Sequence, residues 1–329
     1  MNPATRKQRM FLTVIGLWAA TIAVFGVAID SPFLLTLAGY TSAFAIFALS
    51  VNVMLGGTGE VPLGQCLFFG VGAYGVGIAM KKFGLSFEMG LTVGMVAAAV
   101  LATVIGALTL RLTGAYFAIV SWGIASVAVV VALNLQEITG GGMGLFGLGQ
   151  MSVAGIDLSQ PRNYFYVCAI VLVLVTVALA AVRTSRFGAA LESVRQNAHL
   201  ARSLGVNVFA QRLKAFVLSA VLAAVAGGLA VPYTQIVSPE NLSVAITVDA
   251  MLMVLLGGTH LLFGPVIGAM IFSILPHYLQ MDANVRVLLF SSAIVLIMMF
   301  APGGLHQLAL ALAAKWERER HARDQHQAA

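Results

Sequence analysis

The sequence predicts an all-α fold, a polytopic bundle of transmembrane helices with about 8–10 membrane segments, some of them broken or re-entrant. The chain is 60% hydrophobic and 9% charged, with a mean hydropathy of +0.96, whereas soluble domains are roughly a quarter charged. Apolar runs long enough to span a bilayer, about 20 residues each, recur along its length. These runs are continuously apolar and lack the alternation of roughly 10-residue barrel strands. In lipid only helices and closed barrels satisfy their backbone groups, so helices are what remains.

The first run, 11–29, follows Arg6, Lys7 and Arg9. It is long for a signal-peptide core and no small-x-small cleavage site precedes Asp30, so it reads as a first crossing. Further segments are read at 33–55, 61–80, 89–110, 115–133, 164–182, 214–231, 246–262, 263–280 and 287–302. Three are weaker. Segment 61–80 carries Gly64, Gly70, Gly72, Gly75 and Gly77, and the run 246–280 is interrupted by Gly257, Gly258, His260, Gly264, Pro265 and Gly268. At membrane depth such residues mark close helix packing or broken backbone lining a cavity. Residues 1–310 therefore read as one transmembrane domain with a polar loop at 183–213, and 311–329 as a charged tail. Cys66 and Cys168 fall in apolar segments and read as buried free thiols, with no metal-ligand or disulfide spacing.

Charge sets the orientation. With the N-terminus inside, the inner side holds Arg6, Lys7, Arg9, Arg111, the six basic residues of 183–214, and Lys315, Arg318, Arg320 and Arg323. The outer side holds Lys81, Lys82, Arg162 and Arg286. This bias predicts both termini in the cytoplasm. It also explains the net charge of +6 by membrane edges and lipid contact, without a nucleic-acid partner.

Several motifs stand out. Gly56-Gly57-Thr58-Gly59-Glu60-Val61-Pro62-Leu63-Gly64-Gln65 ends one helix and starts another. It reads as a tight turn, or as a half-helix end with Gln65 toward a pathway. No Gly-x₄-Gly-Lys-Ser/Thr loop occurs, so the chain shows no nucleotide site of its own. The glycine-rich stretch Thr139-Gly140-Gly141-Gly142-Met143-Gly144-Leu145 lies on the outer side, as a flexible loop or a shaped surface. Asp249 is an acid inside a hydrophobic segment, near its outer end; it either serves a pathway or caps a helix. His260 and His277 read as loop or packing residues. Residues 187–204 read as one amphipathic helix, with Leu191, Val194, Ala198 and Ala201 on one face and Glu192, Arg195, Gln196, His199 and Arg202 around the rest. Gly205 follows as its C-terminal stop. Such a helix either lies on the membrane or docks into a groove of a soluble protein, with Arg195 and Arg202 as polar contacts.

At these residues the chain resembles the branched-chain amino acid ABC-importer permeases, specifically the second of the two permease subunits. The passages that carry the resemblance are 52–74, Arg111-Leu112-Thr113-Gly114-Ala115-Tyr116-Phe117, 139–145, and Ser185-Arg186-Phe187-Gly188 through Leu204-Gly205-Val206-Asn207-Val208. Ser238-Pro239, Gly257-Gly258, Phe263-Gly264-Pro265 and Pro302-Gly303-Gly304 continue it. It covers roughly residues 33–306. Two departures stand out. The family usually has Gly-Gln-Leu-Ser-Leu-Gly-His where this chain has Gly59-Glu60-Val61-Pro62-Leu63-Gly64-Gln65, and often Glu at Asp249.

The resemblance implies an inner-membrane permease subunit of an ATP-driven importer for branched-chain or similar small amino acids. Its partners would be a second permease subunit, two cytoplasmic ATPases and a periplasmic substrate-binding protein. The ATPases would hold ATP and Mg, and this chain would hold no cofactor and do no chemistry. The ATPase-coupling residues would be Gly188, Leu191, Glu192, Arg195, Asn197, Arg202 and Gly205. The pathway candidates would be Asn52, Gly64, Gln65, Tyr74, Tyr116, Asp249, Gly257 and Gly258. If the departures line the pathway, urea, short amides or small carboxylates become alternative cargoes. An ion-coupled secondary transporter is a further alternative, disfavoured by sparse buried charge. A membrane enzyme would need clustered polar catalytic groups, which the sequence lacks.

Overall fold

A computed structural model describes residues 31–259 and 262–278, with isolated positions at 285, 288, 289 and 292. Among the described residues, six helices are long and apolar enough to cross a membrane. They are α1 (Pro32–Leu55), α2 (Gln65–Phe83), α3 (Phe87–Thr109), α4 (Ala115–Asn134), α6 (Pro161–Thr184) and α9 (Val208–Thr234), with a single-turn α5 (Gln136–Thr139) after α4. α7 (Arg186–Gln196) and α8 (Ala198–Ser203) link α6 to α9; α10 (Val244–Gly257) and α11 (Gly264–Tyr278) follow. Two-residue strands decorate one end. β1 (Leu145–Phe146) pairs antiparallel with β4 (Ile236–Val237), and β2 (Ser152–Val153) with β3 (Ile156–Asp157).

The chain is an all-α multi-pass membrane protein. α1 and α9 lie inside the bundle, while α3 and α4 turn most of their apolar side chains outward. Lipid tails are as apolar as leucine, so helices associate here through close packing and not through hydrophobic exclusion. The α2–α9 crossing shows it: a Cβ on Gly72 would collide with the Ala224 backbone, and one on Gly227 with the Phe69 carbonyl. Phe44, Phe47 and Phe69 fill the space beside that crossing. The Tyr164 hydroxyl donates to the Leu229 carbonyl at 2.9 Å and ties α6 to α9.

Segment 61–80 proves to be a loop, 56–64, followed by an unbroken helix; Gly72 and Gly75 serve helix crossings. The segments 246–262 and 263–280 become the short helices α10 and α11, of 14 and 15 residues. At 1.5 Å per residue each covers roughly 20 Å, less than a bilayer core of about 30 Å. The helix expected over 187–204 is broken at Asn197, whose extended backbone ends α7 and whose carboxamide oxygen accepts from the His199 and Leu200 amides as the cap of α8. An asparagine competes with the helix by capping a new one. Segment 11–29, all of 287–302 but three isolated positions, His260 and the tail 311–329 lie outside the described residues.

The two ends of the bundle carry different contacts. Lys81 and Lys82 donate to the carbonyls of Phe146 and Glu137 at one end. At the other end loop 56–64, the 111–114 turn and α7–α8 come together.

Candidate functional site

α7 and α8 stand at the end of the bundle because their apolar face is buried there. Leu191 joins the main core, while Val194, Ala201 and Val208 form a small cluster of their own. The apolar stripe read from the sequence is thus packed within this chain. What faces outward is Glu192, Gln196, His199, Leu200, Arg202 and Leu204. Arg195 also departs from expectation. Its guanidinium turns inward and donates to the Gly56 carbonyl, so it holds loop 56–64. Gly188 packs against the end of α6, where a Cβ would meet the carbonyls of Val182 and Arg183.

Behind α7 lies a cavity of about 360 Å³, lined in part by Asn52, Gly56, Arg183, Gly188, Glu192 and Arg195. The structure therefore brings four expected coupling residues (Gly188, Leu191, Glu192 and Arg195) to the same cavity as Asn52. Asn52 Oδ1 is buried without a hydrogen-bond partner among the described residues. Asn197, Arg202 and Gly205 lie beyond it, exposed on the outer side of α8. Gly257 and Gly258 form the buried turn toward α11, where a side chain on Gly257 would meet Gly264. Thr259, just after them, offers its carbonyl to Arg183 at 3.5 Å.

Loop 56–65 is anchored in several places. The Glu60 carboxylate is buried, 3.2 Å from Arg212 Nη2 at the start of α9. Its other oxygen accepts the Gly114 amide at 2.7 Å, just ahead of α4. The Gly64 amide donates to Ser121 Oγ on α4 at 3.3 Å. Gln65 then enters a buried polar cluster. Its Nε2 donates to Ser219 Oγ at 2.7 Å, and Ser219 donates in turn to the Ser50 carbonyl at 2.7 Å. The Cys66 amide donates to Thr247 Oγ1 at 2.8 Å. The departure at Glu60 thus faces an arginine and a backbone amide. Sequence reasoning missed Ser50, Ser219 and Thr247, since single hydroxyls in apolar helices carry no pattern of their own.

The same contacts fix the depth of α10. Thr247 sits beside the first turn of α2, Leu242 lies against Gly70 and Val237 against Gly77. The stretch 236–243, with one 3₁₀ turn at Pro239–Leu242, therefore runs down the flank of α2 before α10 begins. Non-helical backbone at that depth is tolerated only inside protein or beside a cavity. A cavity is present: an open groove of about 780 Å³, with Trp122, Ser126, Val129 and Leu133 of α4 on one wall and Ser238, Glu240 and Ser243 on the other. Glu240 thus lies alongside the helices. Ser243 caps α10, accepting from the Ala245 amide, so Asp249 is not a helix cap. It lies two residues past Thr247, toward the α7–α8 end, and not near the opposite surface. The only sequence hint of this groove was the Ser238-Pro239 pair. Tyr116 points away from the bundle, 73% exposed, and does not join Gln65; Tyr74 is buried on α2.

Comparison with known proteins decides the family. The model of the branched-chain amino acid transport system permease component matches residues 33–302. The chain belongs to that permease family. It is 28% identical, over 93% of its length and 76% of theirs, to the high-affinity branched-chain amino acid transport system permease protein LivM of Escherichia coli and that of Salmonella typhimurium. A shorter match, 30% identity over 43% of the chain, is to the probable branched-chain amino acid transport permease protein LivH of Methanocaldococcus jannaschii, covering 45% of it. No solved structure matches. The matched range begins with α1 and takes in the α7–α8 pair, the groove and both short helices of this permease-family member.

Proposed function

We propose that the chain is one permease subunit of an ATP-driven importer for branched-chain or similar small amino acids in a bacterial inner membrane. The observation that carries this reading is the α7–α8 pair: two short helices, anchored by their apolar faces, presenting Glu192, Gln196, His199 and Arg202 beyond the bundle end. That end is taken as cytoplasmic, since basic residues gather there, and as the seat of a partner ATPase. The groove between α4 and 236–243 is taken as this subunit's wall of the pathway, completed by a second permease. A binding protein would approach the end that carries Lys81, Phe146 and the glycine-rich loop. The chain itself would hold no ATP or Mg. ATP binding and hydrolysis on the partners would shift the permease pair between conformations.

The substrate assignment follows the names of the relatives. It is supported by the placement of Glu60, which stands against Arg212 and not in the groove, so that departure does not alter the groove's chemistry. The test is reconstitution of the complex that co-purifies with the tagged chain. ATP-dependent uptake of leucine, isoleucine or valine into proteoliposomes is expected. Uptake driven by an ion gradient without ATP would overturn the reading in favour of a secondary transporter.

A further inference from the structure

We propose that Glu60 is a positioning residue, the joint through which movement of α7–α8 is passed to α4 and hence to the groove wall. The proposal rests on the importer reading above and adds the route by which the two regions communicate. One end of that route is α7. Arg195 holds the Gly56 carbonyl, and its stem lies beside Gly59. The other end is α4, which loop 56–65 grips at Gly114 and Ser121, two turns apart. Ser121 is followed directly by Trp122, which lines the groove. Glu60 sits between them and holds three pieces of chain at once: its own loop, Arg212 at the base of α9 and Gly114 at the head of α4.

The chemistry requires a carboxylate. Arg212 takes one oxygen and the Gly114 amide takes the other. A glutamine offers one oxygen, and its amide group would direct hydrogens at a partner that is itself a donor. One of the two holds must then release.

The experiment uses the whole reconstituted complex and compares wild type, Glu60→Gln and Ser121→Ala. Uptake and ATPase activity are both scaled to the folded, assembled complex. Glu60→Gln is expected to lower uptake per ATP hydrolysed about tenfold while ATPase activity stays within about twofold. Ser121→Ala, which removes the loop's second hold on α4 and leaves the buried Glu60–Arg212 pair intact, is expected to lower the same ratio about fivefold. The proposal is overturned if neither variant changes the ratio, or if ATPase activity falls in step with uptake. A wild-type complex that shows no ATP-dependent uptake sinks the importer reading itself, a result distinct from either.

Discussion

Arg212 and Glu60 sit 3.2 Å apart with both side chains almost wholly removed from solvent. A buried pair gains little over a well-packed apolar pair, but removing one partner strands the other charge. Arg212→Met is therefore expected to destabilise the protein by about 3–5 kcal/mol. Gln65→Leu, which removes a neutral bond to Ser219, is expected to cost about 1 kcal/mol. Thermal unfolding of the two variants in detergent gives the comparison, and equal losses would contradict the ranking. Neither pairing could be read from the sequence. Glu60 was visible as a departure from the family pattern and Arg212 as one of many basic residues at a membrane edge. Only the fold brings α9 beside loop 56–64.

The elements divide by how their signal is written. The long helices were legible nearly to their ends, because a run of about 20 apolar residues leaves the chain no other way to cross a bilayer. The segment 246–262 misled for the same reason: hydropathy counts apolar residues but does not record depth, and α10 starts well below the surface beside Cys66. The break at Asn197 was missed because the apolar spacing runs straight through it. Asn197→Ala should cost α8 about 1 kcal/mol of capping, seen as faster amide exchange at 198–203 with the rest of the chain unchanged. Unaltered exchange there would mean that the cap is not what separates α7 from α8. At the α2–α9 crossing, Gly227→Leu should abolish folded yield, since its side chain would stand where the Phe69 backbone is. Normal yield of a monodisperse variant would contradict that packing.

At the scale of the whole molecule, the ends and the groove are one account. Loop 56–65 joins the α7–α8 end to α4, and α4 forms a wall of the groove. Trp122→Ala should leave assembly intact and lower uptake several-fold, of the size expected for a residue acting through contact with the pathway; unchanged uptake would remove α4 from the pathway. The groove was not legible in the sequence, because its second wall is a stretch of irregular backbone with no periodicity. The most direct test of the account is thiol cross-linking of the intact complex from Leu204→Cys and Phe146→Cys, exposed positions at opposite ends. The native thiols Cys66 and Cys168 are buried and stay silent. Leu204→Cys is expected to link to an ATP-hydrolysing subunit, and Phe146→Cys is not. A link from Phe146→Cys, with none from Leu204→Cys, would contradict it.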